Sequence, residues 1–262
     1  MAKTLLTISL VSFAVTLLAY CLPRKVMLRH LRLVSYALGL VVLLASIVLR
    51  YVETGILPFA TTQQFAAVFA FGAAAFGVGL ESRRPESSRA INALSIAVVI
   101  ALLIWSVLTY RTQSSLVPAL QNNPLFLSHV VLAAAAYGTF VVAFAAAVAQ
   151  LLVRNDGGRA RVGPRDMEGI GYQAVRVGFP LFTLAILLGS VWAGVAWGRF
   201  WSWDPKETAS LVTWLIYAGY LHLRLSRGWS GKKSALVVIV GFLAVVTTFL
   251  GNFVFSGLHS YN

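Results

Sequence analysis

Eight apolar runs set the limits on what this chain can fold into, at residues 4–22, 31–50, 65–81, 91–110, 124–153, 174–196, 207–225 and 234–256. A hydrocarbon layer of about 30 Å is crossed by roughly 20 helical residues, so each run is a candidate membrane crossing. With 59% apolar and only 11% charged residues, no water-soluble domain would hide so much apolar surface, and the solvent must be lipid. The connections are mostly short, which leaves no room for a separate soluble domain. The expected fold is all-α: a polytopic helical bundle of about eight transmembrane helices, forming one domain over residues 1–262. The first run lacks a strongly basic leader and a small-residue cleavage site, so it is expected to remain in the mature protein.

A formal charge of +13 does not indicate nucleic acid, because the basic residues form neither a face nor a stripe. They cluster at alternate connections: Arg24, Lys25, Arg29 and Arg32; Arg83, Arg84 and Arg89; Arg154, Arg159, Arg161, Arg165 and Arg176; Arg224, Arg227, Lys232 and Lys233. That is 16 of 21, with Lys3, Arg50, Arg111, Arg199 and Lys206 left for the other side. By the positive-inside rule the odd-numbered connections are cytoplasmic. Both termini and the second, fourth and sixth connections are therefore expected outside. The lone Cys21 excludes an internal disulfide or a Cys-x-x-Cys redox pair, so any thiol chemistry must come from another protein. No phosphate-binding glycine loop and no zinc-spaced cluster is present, which disfavours ATP-driven and zinc-dependent functions.

The sixth connection carries the most information. Trp192, Trp197, Phe200, Trp201 and Trp203 fall within twelve positions, interleaved with Arg199, Asp204, Lys206 and Glu207. An interfacial aromatic belt accounts for one or two of these. Broad aromatic faces bordered by charge also suit a large, flat, apolar ligand with ionised edges, such as haem. Asp204 and Glu207 have two readings as well. Asp-Pro-Lys-Glu before an apolar run is a capping-box-like helix start, and the same carboxylates are candidates for proton transfer.

Four histidines remain. His129 lies near the start of the fifth run and His259 follows the eighth, both on the expected outer side. His222 lies fifteen residues into the seventh run, about 22 Å from its outer end, and His30 is at the inner end of the second. Ionisable groups within membrane spans are costly and weigh toward function.

The run Trp197-Gly-Arg-Phe-Trp201-Ser-Trp203-Asp204-Pro-Lys-Glu207, continuing through Trp214 and Tyr217 to His222-Leu-Arg224, resembles the tryptophan-rich WWD segment of haem-handling membrane proteins. The Asp-Pro-Lys-Glu continuation, together with Ser128-His129-Val130, Tyr137 and Gly257-Leu-His259-Ser-Tyr261, resembles the CcsA/ResC branch more than the CcmC or CcmF branches. These motifs cover the chain from about residue 124. The family's assembly domain is expected mainly over 60–262. One departure is visible: an acidic residue is common in the family shortly after a Gly-x-x-Pro, whereas Gly55-Ile-Leu-Pro58 is followed here by Gln63 and Gln64.

The resemblance implies attachment of haem b to apocytochrome c, as one subunit of the System II cytochrome c synthase. The implied location is the outer face of a bacterial cytoplasmic or thylakoid-like membrane. The implied partners are a CcsB/ResB-type membrane protein, an apocytochrome bearing Cys-x-x-Cys-His and a thioredoxin-like thiol reductant. It further implies His129 and His259 as axial ligands to haem iron, Trp192, Trp197, Trp201 and Trp203 against the macrocycle, and His222 as a haem ligand within the membrane. Two neutral imidazoles can fill both axial positions of a haem iron. The propionates need cations, for which Arg50, Arg111, Arg199 and Lys206 are the outer choices. Two competing readings are a CcmC-like delivery protein without thioether chemistry and a haem-free scaffold.

Overall fold

Long apolar runs bounded by proline, glycine or charge become helices, because a backbone in lipid must satisfy its hydrogen bonds within itself. The computed structural model describes residues 1–22, 26–55, 57, 61–83, 88–110, 124–153 and 163–254. Over these residues the fold is all-helical, without strands: α1 (Ala2–Cys21), α2 (Val26–Thr54), α3 (Thr62–Arg83), α4 (Arg89–Leu108), α5 (Pro124–Leu152), α6 (Pro164–Trp197), α7 (Pro205–Arg227) and α8 (Lys232–Val254). Seven of the eight are long and apolar enough to cross a membrane. The exception is α7, whose 23 residues include Lys206, Glu207, His222, Arg224 and Arg227. The sequence reading counts the run 207–225 as a crossing, and the charged residues within and beside it lower its mean hydropathy. Helix α6 starts ten residues before its apolar run, because charge does not end a helix whose polar groups find partners. Pro164 occupies its first turn and the Asp166 carboxylate accepts the Gly163 N–H at 2.9 Å.

The helices pack as two compact units, residues 1–122 and 123–262. In the first, α1 to α4 run antiparallel to their sequence neighbours. Ser9 and Ser12 donate to the carbonyls of Gly39 and Ser35 at 2.8 and 2.7 Å, which ties α1 to α2. At one end the buried Glu81 carboxylate accepts from Tyr20, Ser88 and Asn92 at 3.0, 2.7 and 2.9 Å, joining α1, α3 and α4. At the other end Arg50, Gln63, Gln64, Ser106 and Tyr110 line a small cavity. Gln63 and Gln64 are buried there at the start of α3, with Arg50 Nη1 donating to Tyr110 Oη at 3.2 Å.

The second unit is built on α5, which is rich in alanine and buried through most of its length from Ala133 to Gln150. Small residues let membrane helices approach closely, since dispersion rather than water exclusion holds them together. Gly178 shows how closely: a Cβ there would lie 2.0 Å from Thr139 Oγ1 and 2.7 Å from the Phe140 ring. Phe140 in turn stacks on Tyr217 of α7 at 4.0 Å and meets Phe182 of α6 edge-on at 5.9 Å. Trp214 Nε1 donates to Thr183 Oγ1 at 2.9 Å, and Thr213 and Thr248 hydroxyls pair at 3.2 Å. At the end where α6 begins and α7 finishes, Glu168 accepts from Gln150 at 3.3 Å and Gly231 N–H at 3.1 Å. Glu168 also pairs with Arg224, whose guanidinium lies 4.6 Å from the Tyr172 ring centre. One buried carboxylate thus gathers α5, α6, α7 and the turn into α8.

Candidate functional site

The opposite end of this unit holds the tryptophan segment. Helix α6 ends at Gly198, left-handed at φ 71°, whose N–H donates to the Gly194 carbonyl at 3.1 Å. Helix α7 restarts at Pro205 behind an Asp204 N-cap. Asp204 Oδ1 accepts Lys206 N–H at 2.9 Å, and Glu207 Oε2 reaches back to Asp204 N–H at 3.3 Å. Glu207 Oε2 also accepts Ser202 N–H at 2.8 Å and Ser202 Oγ–H at 3.2 Å. The capping reading of Asp-Pro-Lys-Glu therefore holds, and the Glu207 carboxylate closes the whole connection. The other anchor is Ser190, whose hydroxyl donates to the Phe200 carbonyl at 2.6 Å. Phe200 lies over Gly194, where a Cβ would sit 2.8 Å from its ring.

This anchoring imposes strain at Trp203, the one non-glycine residue with positive φ, at 59°, among those described. A left-handed bulky residue costs about 1–3 kcal/mol and persists only where its surroundings over-determine it. Trp203 is 68% exposed and Phe200, on the same connection, 67% exposed. Trp201 packs edge-on to Trp203 at 5.8 Å. Trp192, by contrast, is 2% exposed, sandwiched between Phe126 at 5.0 Å and Trp197 at 4.8 Å. Trp192 thus packs between two rings, while Trp197 is only partly buried.

His129 lies one turn after Phe126 on α5, half-buried. Its Nδ1 is 2.6 Å from the Ala185 carbonyl of α6. A carbonyl can only accept, so Nδ1 carries the hydrogen, and in the neutral ring the lone pair then lies on Nε2. Iron-ligating histidines are commonly oriented by such a carbonyl on the other ring nitrogen. The donor set suits a haem: an oriented imidazole, flat aromatic faces, and Arg199 and Lys206 on the same connection as the tryptophans. Arg199 is exposed. Burial pushes the Lys206 pKa below the ordinary lysine value, with the Asp204 carboxylate opposing.

The structure brings Phe126, Trp192 and Trp197 into one chain of ring contacts, with His129 one turn farther along α5 and bonded to α6, and it brings Trp201, Trp203, Asp204 and Glu207 together on the following connection. His222 belongs to neither. It is exposed near the far end of α7, seventeen residues past Pro205 and roughly 25 Å along the helix. His30 is exposed on α2. His259 and Arg111 lie outside the described residues. Sequence reasoning missed Phe126, Ser190, Gly194 and the Ala185 carbonyl. An aromatic three residues before His129 is the only signal it could have used.

Residues 3–259 match the family described as Cytochrome C assembly protein. Cytochrome c biogenesis protein CcsA of Microcystis aeruginosa is 30% identical over 269 residues, 81% of this chain and 81% of that protein. CcsA of Chlamydomonas reinhardtii is 42% identical over 153 residues, 56% of this chain but only 43% of the relative's length. Among solved structures, cytochrome c haem lyase CcmF superposes with a TM-score of 0.68 at 21% identity, over 95% of this chain and 46% of that one. The last similarity speaks for the fold. With a family match over nearly its whole length, the chain belongs to the cytochrome c assembly protein family.

Proposed function

We propose that this chain is the CcsA-type subunit of a System II cytochrome c synthase, holding haem b as substrate on the outer face of the membrane for covalent attachment to apocytochrome c. The observation that carries the reading is the His129 geometry. An imidazole tied through Nδ1 to the Ala185 carbonyl leaves Nε2 as the nitrogen for a ligand bond, on the helix whose Phe126 packs against Trp192, while two anchors hold the tryptophan connection in shape. His259 supplies the second axial imidazole, Trp197, Trp201 and Trp203 lie against the macrocycle, and Arg199 and Lys206 are the cations on the tryptophan connection itself for the propionates. His222, on the exposed face of α7, holds haem at a separate inner position together with a residue of the CcsB/ResB-type partner. The orientation follows the 16-to-5 division of basic residues.

Attachment adds two cysteine thiols across two vinyl groups. Each addition forms one carbon–sulfur bond and returns the thiol hydrogen to a vinyl carbon, so it consumes no oxidant. The client's Cys-x-x-Cys-His must arrive reduced, and this chain has only Cys21, so a thioredoxin-like reductant serves that need. Asp204 and Glu207 act by shaping the connection, since both carboxylates are engaged by backbone donors.

Copurification tests the subunit assignment. The tagged chain should bring down a CcsB/ResB-type protein and apocytochrome c. Recovery of a small haem chaperone in their place would favour a CcmC-like delivery role, and a haem-loaded preparation without a Soret band would leave the scaffold reading.

A further inference from the structure

Where the His129 ring meets α6, the helix carries no side chain. An ideal Cβ built on Gly189 would lie 2.6 Å from His129 Nδ1 and 2.7 Å from its Cε1, well inside van der Waals contact. Gly189 is one turn past Ala185, whose carbonyl takes the Nδ1 hydrogen at 2.6 Å. In a regular helix that carbonyl also accepts the Gly189 N–H, so one backbone oxygen serves both donors. The imidazole reaches it only by lying in the space a side chain at 189 would fill. Neither feature follows from the packing of α5 on α6. That packing is fixed farther along by Gly178 against Thr139 and Phe140 and by Gly171 against Ala146, at 3.3 Å for the latter.

We propose that Gly189 is a positioning residue for His129: its missing side chain forms the notch that lets the ring hold the Ala185 carbonyl, and so fixes both the tautomer and the direction of Nε2. This rests on the reading of His129 as an axial ligand to haem iron. A methyl group at 189 pushes the ring away from the carbonyl. The ring then loses the hydrogen bond that raises its basicity as a ligand and no longer points Nε2 along one line. Gly169 on the same helix lacks this relation, since an added Cβ there meets nothing within 4 Å.

The experiment compares Gly189→Ala, Gly169→Ala, His129→Ala and the double variant Gly189→Ala with His129→Ala. All are made in the full-length chain with its partner and reconstituted with haem b. Gly189→Ala should weaken haem retention about tenfold, in line with losses of ligand-orienting groups elsewhere. It should also raise the haem midpoint potential, because the less basic imidazole stabilises the oxidised iron less. Gly169→Ala should match the parent. In the His129→Ala background the methyl has no ring to displace. Imidazole-supported haem content should then be the same with and without the 189 substitution.

Histidine ring ¹⁵N NMR of the haem-free parent provides a reading that does not depend on Gly189→Ala folding. It should show His129 protonated at Nδ1. A parental potential and retention in Gly189→Ala, an Nε2-protonated His129, or an effect of the 189 substitution that persists without His129 would each overturn the positioning role. A His129→Ala protein with the parental haem spectrum would instead remove the ligand reading on which it rests.

Discussion

The two ends of the 123–262 unit use their polar groups in opposite ways. Where α6 begins and α7 finishes, Glu168 and Arg224 are engaged with each other and with Gln150, Trp229 and Gly231, and side chains close over them. At the tryptophan end, the carboxylates of Asp204 and Glu207 are turned onto the local backbone, and the aromatic rings they frame stay open. The first arrangement holds helices together. The second holds a surface in shape for something else, and accepts backbone strain at Trp203 to do so. The two histidines follow the same division, since His129 is oriented by a backbone carbonyl whereas His222 stands exposed on α7. Stability should therefore respond to changes at one end and haem handling to changes at the other.

The largest stability effect is expected from Glu168→Gln. Removing one member of a buried ion pair leaves the other uncompensated, and a loss of about 3 kcal/mol is expected, the lower part of the range because Arg224 keeps some exposure. Unfolding in mixed detergent micelles reads the loss, while haem bound by the folded fraction should keep the parental spectrum. A changed spectrum would show that the two ends are not separable. Glu207→Ala comes next, at about 1–2 kcal/mol, because a cap and the hydrogen bonds closing the connection are lost together. Here haem content should fall as well, since the same carboxylate shapes the aromatic face.

Trp203→Gly is the sharpest divider. Glycine relieves the left-handed strain, and the indole it removes is mostly exposed, so stability should change by no more than about 1 kcal/mol and toward greater stability. Haem retention should nevertheless drop, and added imidazole should not restore it, because stacking area rather than a ligand is missing. Retained haem with improved stability would mean that the Trp203 ring contributes nothing to binding. The smallest stability change, within about 0.5 kcal/mol, is expected for His222→Ala, an exposed position. It should reduce haem at the inner position alone. Lowered stability with unchanged haem would make His222 a packing residue.

Much of this was legible in the sequence because lipid leaves a backbone few options. Apolar length alone gives the helices, and Asp-Pro-Lys-Glu gives the cap at Asp204 and Glu207. What stayed hidden depends on partners distant in the chain. The first turns of α6 read as a connection because Arg165, Asp166 and Glu168 are charged, and Gln150, Arg224 and Gly231 make a buried Glu168 tolerable. The aromatic cluster was legible as a cluster, but nothing in Trp192 distinguishes a buried support from an open face. Positive φ is a glycine habit, so Trp203 gave no warning. The contact between His129 and Ala185 spans 56 residues and uses a main-chain oxygen, which no side-chain pattern records.

The central claim is that His129 ligates the iron of a haem held at the tryptophan end, and the absorption spectrum of His129→Ala tests it most directly. The parental protein, purified with its partner and loaded with haem b, should show the spectrum of a low-spin, bis-imidazole haem. His129→Ala should lose that spectrum and most of its haem, and millimolar imidazole should return the low-spin bands by filling the vacant axial position. An unchanged low-spin spectrum in His129→Ala without imidazole would contradict the account.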